Sequence, residues 1–330
     1  MRYISVWAAE ESRRDRASPP LPDMYSAHLN ARGAGRRFAP TASKHRRGEA
    51  MSDRRPLLVI DGDSFAHRAY HALPKTVRRK GDRGGGAIVG FTNYLIRLYE
   101  AEHPRAVVVG WDTLAEPNWR AQEFAPYQGG RIFEDEIVEQ LEVLPQIVTA
   151  CGFVFGKAGR FEADDFLATA VAMEEQAGGT ALVATSDRDA YQLASDRTTI
   201  LAPIKGGEIA RIDPAGVRER YKVEPRQVPD FIALRGDPSD KIPGAKGVGE
   251  ATAASLLQRY PDLEAMIADN RFPTQADDLR LYKRIATMVT DAPLPSIPDA
   301  RPTWGAAAAL ARDWELNNLA DRLQQLADRA

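Results

Sequence analysis

The chain has 330 residues, 44% of them hydrophobic, with 44 basic and 46 acidic side chains and a net charge of −2. That length accommodates a large α/β domain and a smaller helical one, and no apolar run approaches the roughly 18–20 residues that cross a bilayer, which argues against a membrane role. A single cysteine, Cys151, excludes an internal disulfide framework and a cysteine-rich zinc site; it reads as a buried thiol in a protein of a reducing cytoplasm.

Residues 1–50 carry ten basic and five acidic side chains, show no hydrophobic period and are rich in Arg, Ser, Pro, Gly and Ala. They read as a disordered or spurious extension ahead of Met51, with a basic nucleic-acid-binding arm as the alternative. From there strand and helix alternate. Short apolar strands are predicted at 56–60, 106–109, 153–155 and 181–184, and amphipathic helices at 88–102, 134–150 and 163–177. Gly84-Gly85-Gly86 points to a mobile segment ahead of the first of these helices. All-apolar strands separated by helices imply an α/β fold with a mostly parallel central sheet flanked by helices, spanning 51–205. After about residue 205 the strands are expected to stop. Helices are predicted at 214–221, 225–235 and 249–260 in a helical region, 206–292. A Pro-rich linker, 293–303, then leads to a last helical pair within 293–330.

Nine carboxylates stand out in this frame: Asp61, Asp112, Glu162, Asp164, Asp165, Asp187, Asp189, Asp237 and Asp240. Asp61, Asp112 and Asp187 follow predicted strands, the end of a parallel sheet where ligands gather. Capping explains one or two acids at a helix start, but Glu162-Ala163-Asp164-Asp165 places three within four residues. Convergence of so many like charges requires divalent cations, and oxygen donors without a His or Cys cluster favour two Mg²⁺ or Mn²⁺ ions over zinc. Asp63, by contrast, reads as structural. Outside residues 1–50 there are 34 basic and 41 acidic residues, an acidic excess smaller than this set of nine, so overall charge says little about nucleic acid.

The second motif runs from Gly236 to Ala253. Pro243-Gly244 and Gly247-Val248-Gly249 break one helix and open another, aiming free backbone N–H groups at an anion such as a nucleic-acid phosphate. Lys241, Lys246 and Thr252 border these glycines (Gly244, Gly247, Gly249) and complete a candidate DNA-binding set; the helix-hairpin-helix spans 236–257.

Val59-Ile60-Asp61-Gly62, Arg68-Ala69-Tyr70-His71-Ala72-Leu73, Gly90-Phe91, Phe161 to Asp165, Ser186-Asp187-Arg188-Asp189 and the Gly236–Thr252 stretch together resemble the 5′–3′ exonuclease/flap endonuclease family, closest to the nuclease domain at the N-terminus of bacterial DNA polymerase I and its stand-alone relatives. The resemblance covers roughly residues 56–325, and the absence of a polymerase region suggests the stand-alone form. It implies a PIN-like nuclease core with an arch near 113–133 and a helix–two-turn–helix element that grips duplex DNA and K⁺. It also implies two-metal hydrolysis of phosphodiesters at 5′ flaps, nicks or free 5′ ends, leaving a 5′-phosphate. All nine acids match the family's carboxylates. DNA, and RNA primers on DNA, are the implied partners, with roles in repair and replication, a nucleoid-associated cytoplasmic location and a monomeric state.

One departure concerns the arch, where the family carries a Tyr-Lys pair whose lysine helps to hold the scissile phosphate. Here the pair is Tyr127-Gln128, and the cations between 113 and 132 are Arg120 and Arg131. Arg120, Tyr127, Arg131 and Arg68 are the candidate catalytic set beside the metal ligands. The competing hypothesis is a DNA-structure-binding protein whose cleavage is weak or lost because Gln128 is neutral; a small-molecule phosphohydrolase has no use for the glycine hairpin.

Overall fold

Strand β1 (Leu57–Asp61) is buried along its whole length and pairs in parallel with both neighbours, Leu57 standing opposite Ala106 on one side and Ala181 on the other. The computed structural model describes residues 54–114, 116–130, 132–204 and 207–329; the expectations for residues 1–50 and for Arg131 lie outside the described residues. Helix α1 (Gly62–Ala72) leaves β1 directly. It is followed by a small hairpin, β2 (Arg78–Arg79) and β3 (Arg83–Gly84), and by α2 (Gly86–Glu102). Then come β4 (Ala106–Gly110), a short α3 (Trp119–Glu123), α4 (Asp135–Ala150), β5 (Val154–Gly156), α5 (Ala163–Gln176) and β6 (Ala181–Ala184).

The sheet has the order β5-β4-β1-β6, extended by β7 (Thr198–Pro203) and β8 (Ile209–Ile212). All pairs are parallel except β7–β8. This corrects the expectation that strands stop near residue 205: an antiparallel hairpin crosses that boundary. The winding reverses between β1 and β6, and the crevice beyond the carboxyl ends of those two strands is where such a sheet binds ligands.

Alternation along each strand builds two apolar layers. Leu57 and Val59 face one, Leu58 and Ile60 the other. The first layer is covered by α5 and by the helical region: α6 (Pro214–Tyr221), α7 (Val228–Arg235), α8 (Glu250–Arg259), α9 (Leu263–Ala268) and α10 (Ala276–Ala286). The second is covered by α1, α2, α4 and by the last two helices, α11 (Trp304–Asp313) and α12 (Asn317–Ala327). Cys151 lies in this second layer, its thiol pushed up to about 12 by burial.

The Pro-rich stretch is a strap rather than a free linker. Arg105 donates to the Ile297 carbonyl at 2.9 Å and to Asp299 at 3.1 Å, Ala300 N–H donates to the Arg105 carbonyl at 2.8 Å, and Thr303 N–H to the Cys151 carbonyl at 2.9 Å. The triple glycine packs closely against its neighbours. A Cβ on Gly84 would fall 2.6 Å from Glu136 Cγ, and Gly85 N–H donates to the Val77 carbonyl at 2.9 Å.

Candidate metal and nucleic-acid site

Asp61 ends β1 and caps α1, its Oδ1 accepting from Ser64 N–H at 2.9 Å. Its Oδ2 accepts from Thr185 Oγ1 at 2.7 Å, and that same hydroxyl accepts from Asp187 N–H at 2.9 Å. One threonine just past β6 thus ties the ends of the two central strands together. Beyond β4, Asp112 Oδ1 accepts from Ala163 N–H at 2.7 Å at the start of α5, while Asp112 N–H donates to Asp63 Oδ2 at 2.7 Å. Helix α5 comes this close to β4 because residue 110 is glycine: a Cβ there would sit 2.6 Å from the Ala163 carbonyl oxygen.

The three acids opening α5 have separate fates. Asp165 is fully buried and faces away from the crevice, into a polar knot. Its oxygens accept from Arg120 at 2.7 and 2.8 Å, from Val289 N–H at 3.1 Å and, as a capping contact, from Glu162 N–H at 3.2 Å. Glu162 accepts from Arg120 at 2.7 Å, from Asn118 Nδ2 at 2.8 Å and from the Tyr127 hydroxyl at 3.1 Å. Asp164 is half-buried; the charges acting on it most strongly are those of Asp187, Asp61 and Glu162.

Asp187 and Asp189 follow β6, with Asp189 N–H donating to Asp187 Oδ1 at 2.9 Å. They meet the loop after α7, whose base is closed by reciprocal 2.8 Å backbone bonds between Asp237 and Ile242. Asp237 Oδ1 accepts from Ser239 N–H at 2.7 Å and its Oδ2 from Arg235 at 3.1 Å. Asp189 feels the charges of Asp187, Asp240 and Asp237. Asp187 therefore stands between a group formed by Asp61, Asp112, Glu162 and Asp164 and a second formed by Asp189, Asp237 and Asp240.

Burial, with this crowding second, raises several of these carboxyls. Burial pushes Asp61 up to about 7, and the charges of Asp112 and Asp187 add to it against the pull of the Ser64 and Thr185 hydrogen bonds. Burial pushes Glu162 up to about 8 despite Arg120, with Asp112 and Asp240 raising it further. Asp63, Asp164 and Asp189 are held well above the carboxylate range, burial first and neighbouring aspartates second. Among the described residues no three such side chains are already drawn in to an ion's ligand shell. The donor set nevertheless fits divalent cations: it is all oxygen, runs from buried Asp61 and Glu162 to exposed Asp187 at the crevice mouth, and is short of positive charge.

Arg120 is 2% exposed, and all five of its N–H donors are used inside the protein, by Glu162, Asp165 and the carbonyls of Ile285 and Thr287. It holds Glu162 and docks α3 on α10, where Phe124 also packs edge-on against Tyr282. Tyr127 is buried, and burial with the nearby Glu162 charge raises its phenol. Gln128 donates to the Tyr127 hydroxyl at 3.0 Å. Arg68 is exposed on α1, and the group that feels its charge is Tyr94 of α2.

In the hairpin, Gly244 is buried at φ +79°, where a Cβ would meet Gly236 N at 2.5 Å, so it closes the loop. Gly247, Gly249, Lys241, Lys246 and Thr252 are exposed, Gly249 at the start of α8. Asp63, which the sequence marks as structural, holds the Asp112 backbone; sequence reasoning passed over Thr185, Asn118 and Lys157, the last of which lowers Asp63 electrostatically. Asn118 carried a signal, an N-cap residue ahead of Trp119; Thr185 carried none.

The model of a 5′–3′ exonuclease N-terminal resolvase-like domain matches residues 56–222, and that of a 5′–3′ exonuclease C-terminal SAM fold matches residues 223–304. The chain belongs to the 5′–3′ exonuclease family. It is 38% identical over 256 residues to DNA polymerase I of Mycobacterium tuberculosis, covering 74% of this chain and 28% of that protein. Against DNA polymerase I of Bacillus subtilis it is 31% identical over 289 residues, 83% of this chain and 33% of that one. The chain thus spans about a third or less of the length of these relatives. In fold it is similar to T5 5′-exonuclease solved with zinc (TM-score 0.59, 17% identity, 83% of this chain and 100% of that one). It also resembles the catalytic core of Rad2 in complex with DNA substrate (TM-score 0.54, 14% identity, 84% and 94%). The mostly parallel sheet flanked by helices thus resembles that of T5 5′-exonuclease, and the helical C-terminal region is the one matched by the SAM-fold model.

Proposed function

We propose that the chain is a divalent-metal-dependent 5′ nuclease that recognises DNA by structure and hydrolyses phosphodiesters near a 5′ flap, nick or end. The observation that carries this reading is the meeting of crowded carboxylates at the β1, β4 and β6 ends, Asp61 among them buried, with the loop that opens the glycine hairpin. Asp61, Asp112, Glu162 and Asp164 would hold one ion, and Asp189, Asp237 and Asp240 the other, with Asp187 between them. Bound Mg²⁺ or Mn²⁺ supplies Lewis-acid stabilisation of the phosphate and a more acidic attacking water.

The protein's own groups do the positioning. Thr185 fixes the Asp61 carboxylate against β6, Asp63 fixes the backbone of Asp112, and Arg120 with Tyr127 and Asn118 fixes Glu162. Rigid placement matters because an ångström of slack in such a site costs orders of magnitude in rate. The exposed turn at Gly247–Gly249 offers backbone N–H groups to duplex phosphates, which gives register without reading base sequence.

The test is incubation with a 5′-labelled flap substrate in Mg²⁺ and in EDTA. Short labelled products in Mg²⁺ and none in EDTA are expected. Binding without cleavage in Mg²⁺ and also in Mn²⁺ would leave a DNA-structure-binding protein instead.

A further inference from the structure

An acidic crevice needs positive charge beside it to receive a phosphodiester, and the cations around this one differ in what already holds them. Arg120 is buried with every donor spent. Arg235 is tied to Asp237 and lies over the ring of Phe231. Lys241 is different. It is exposed, it follows Asp240 directly, and its ammonium crosses to the carbonyl of Gly129 in the turn after Tyr127. Beside that contact Gln128 N–H donates to the Asp240 carbonyl at 3.4 Å, so two loops 112 residues apart touch at the mouth of the site.

Both loops hold a non-glycine residue in the left-handed region there, Gln128 at φ +47° and Lys241 at φ +60°. That conformation is cheaper for Gly or Asn. An ammonium has three donors, and a neutral carbonyl is a weaker partner for it than a phosphate oxygen.

We propose that Lys241 is a substrate-binding residue that grips a backbone phosphate between the 237–242 loop and the 127–130 turn. It leaves the Gly129 carbonyl when DNA binds and provides the positive charge that Gln128 lacks. The assignment rests on the nuclease reading above. It couples the turn to the substrate: the same ammonium that pins residues 127–130 in the free protein is withdrawn by the phosphate.

The test uses the full chain and a fluorescent 5′-flap DNA in EDTA, with affinity measured across a salt series. Lys241→Ala is expected to make the slope of log affinity against log salt shallower by about 1, with no more than the small drop in melting temperature that one exposed contact carries. Lys241→Arg is expected to keep the slope. In Mg²⁺, Lys241→Ala slows single-turnover cleavage on the order of tenfold or more, and adding Gln128→Lys to that variant restores most of the loss. An unchanged slope in Lys241→Ala, or a Lys241→Arg variant as weak as Lys241→Ala, overturns the assignment. A wild-type protein without affinity for flap DNA overturns the nuclease reading and, with it, this one; the two failures are therefore distinct.

Discussion

Glu162 and Arg120 form a 2.7 Å ion pair that is almost wholly buried, yet burial still pushes Glu162 up to about 8. The same direction holds at Asp61, moved from its ordinary 3.8 to about 7, and at Asp63, Asp164 and Asp189. A carboxyl whose folded value lies above its unfolded one keeps a proton that the unfolded chain releases. Its stabilising contribution is therefore complete below about pH 4 and is lost as pH rises towards 8. Glu134 and Glu264, which are lowered by Tyr70 and Arg280 respectively, act the other way, but their contribution is already complete above their ordinary value of 4.5. The metal-free protein in EDTA should therefore melt at a progressively lower temperature from pH 5 to pH 8, and Mg²⁺ should raise the melting temperature more at pH 8 than at pH 5. A melting temperature that stays level or rises over that range in EDTA would refute the charge-starved description. The acids themselves were legible in the sequence, because three within four residues after a strand exceed what capping needs. Their division of labour was not: nothing in Glu162-Ala163-Asp164-Asp165 says that Asp165 turns inward to a buried arginine 45 positions earlier.

At the scale of elements, the site depends on how closely α5 rides on β4 and β5. Gly110 and Gly156 make that approach possible, since a Cβ on the first would reach the Ala163 carbonyl oxygen at 2.6 Å and on the second the Phe166 ring at 2.3 Å. Gly110→Ala meets backbone, which a rotamer change cannot relieve. The N-terminus of α5 must shift, carrying Glu162 and Asp164 with it. The expected cost is about 1–3 kcal/mol in urea unfolding, together with a loss of flap cleavage that exceeds any loss of flap binding. Equal losses of binding and cleavage would show that α5 does not set the geometry of the acids. The strands β1, β4, β5 and β6 were readable as apolar runs. Strands β7 and β8 were not read, although Thr198-Thr199-Ile200 and a glycine-containing turn before Ile209 carry β-branched and hairpin signals. Three residues of β7 and one of β8 are buried, which leaves the apolar period weak. Helix α1 was also passed over, because Asp61-Gly62-Asp63 reads as a turn until Ser64 N–H is seen on the Asp61 carboxylate.

At the scale of the molecule, the sheet separates two jobs. One face carries α5 to α10 and the hairpin; the other is sealed by α1, α2, α4 and the returning pair α11–α12. Residues 293–303 looked like a linker because proline excludes helix and strand, and sequence has no way to show that Arg105 and Cys151 wait to receive their backbone groups. The consequence is that the C-terminal helices belong to the nuclease core instead of hanging from it. Trp304 is the anchor, 5% exposed and set edge-on against Tyr99 and Phe153 at 5.5 and 5.7 Å between centroids. Replacing it with alanine should cost about 3–5 kcal/mol. If α11–α12 and the sheet form one cooperative unit, Trp304→Ala shifts a single urea transition to a lower midpoint with an unchanged slope, and far-UV circular dichroism and the signals of the remaining tryptophans move together. If the pair were an appendage, its helices would melt first and Trp111, buried under α1 and tilted against Phe91, would report a midpoint equal to that of the wild type.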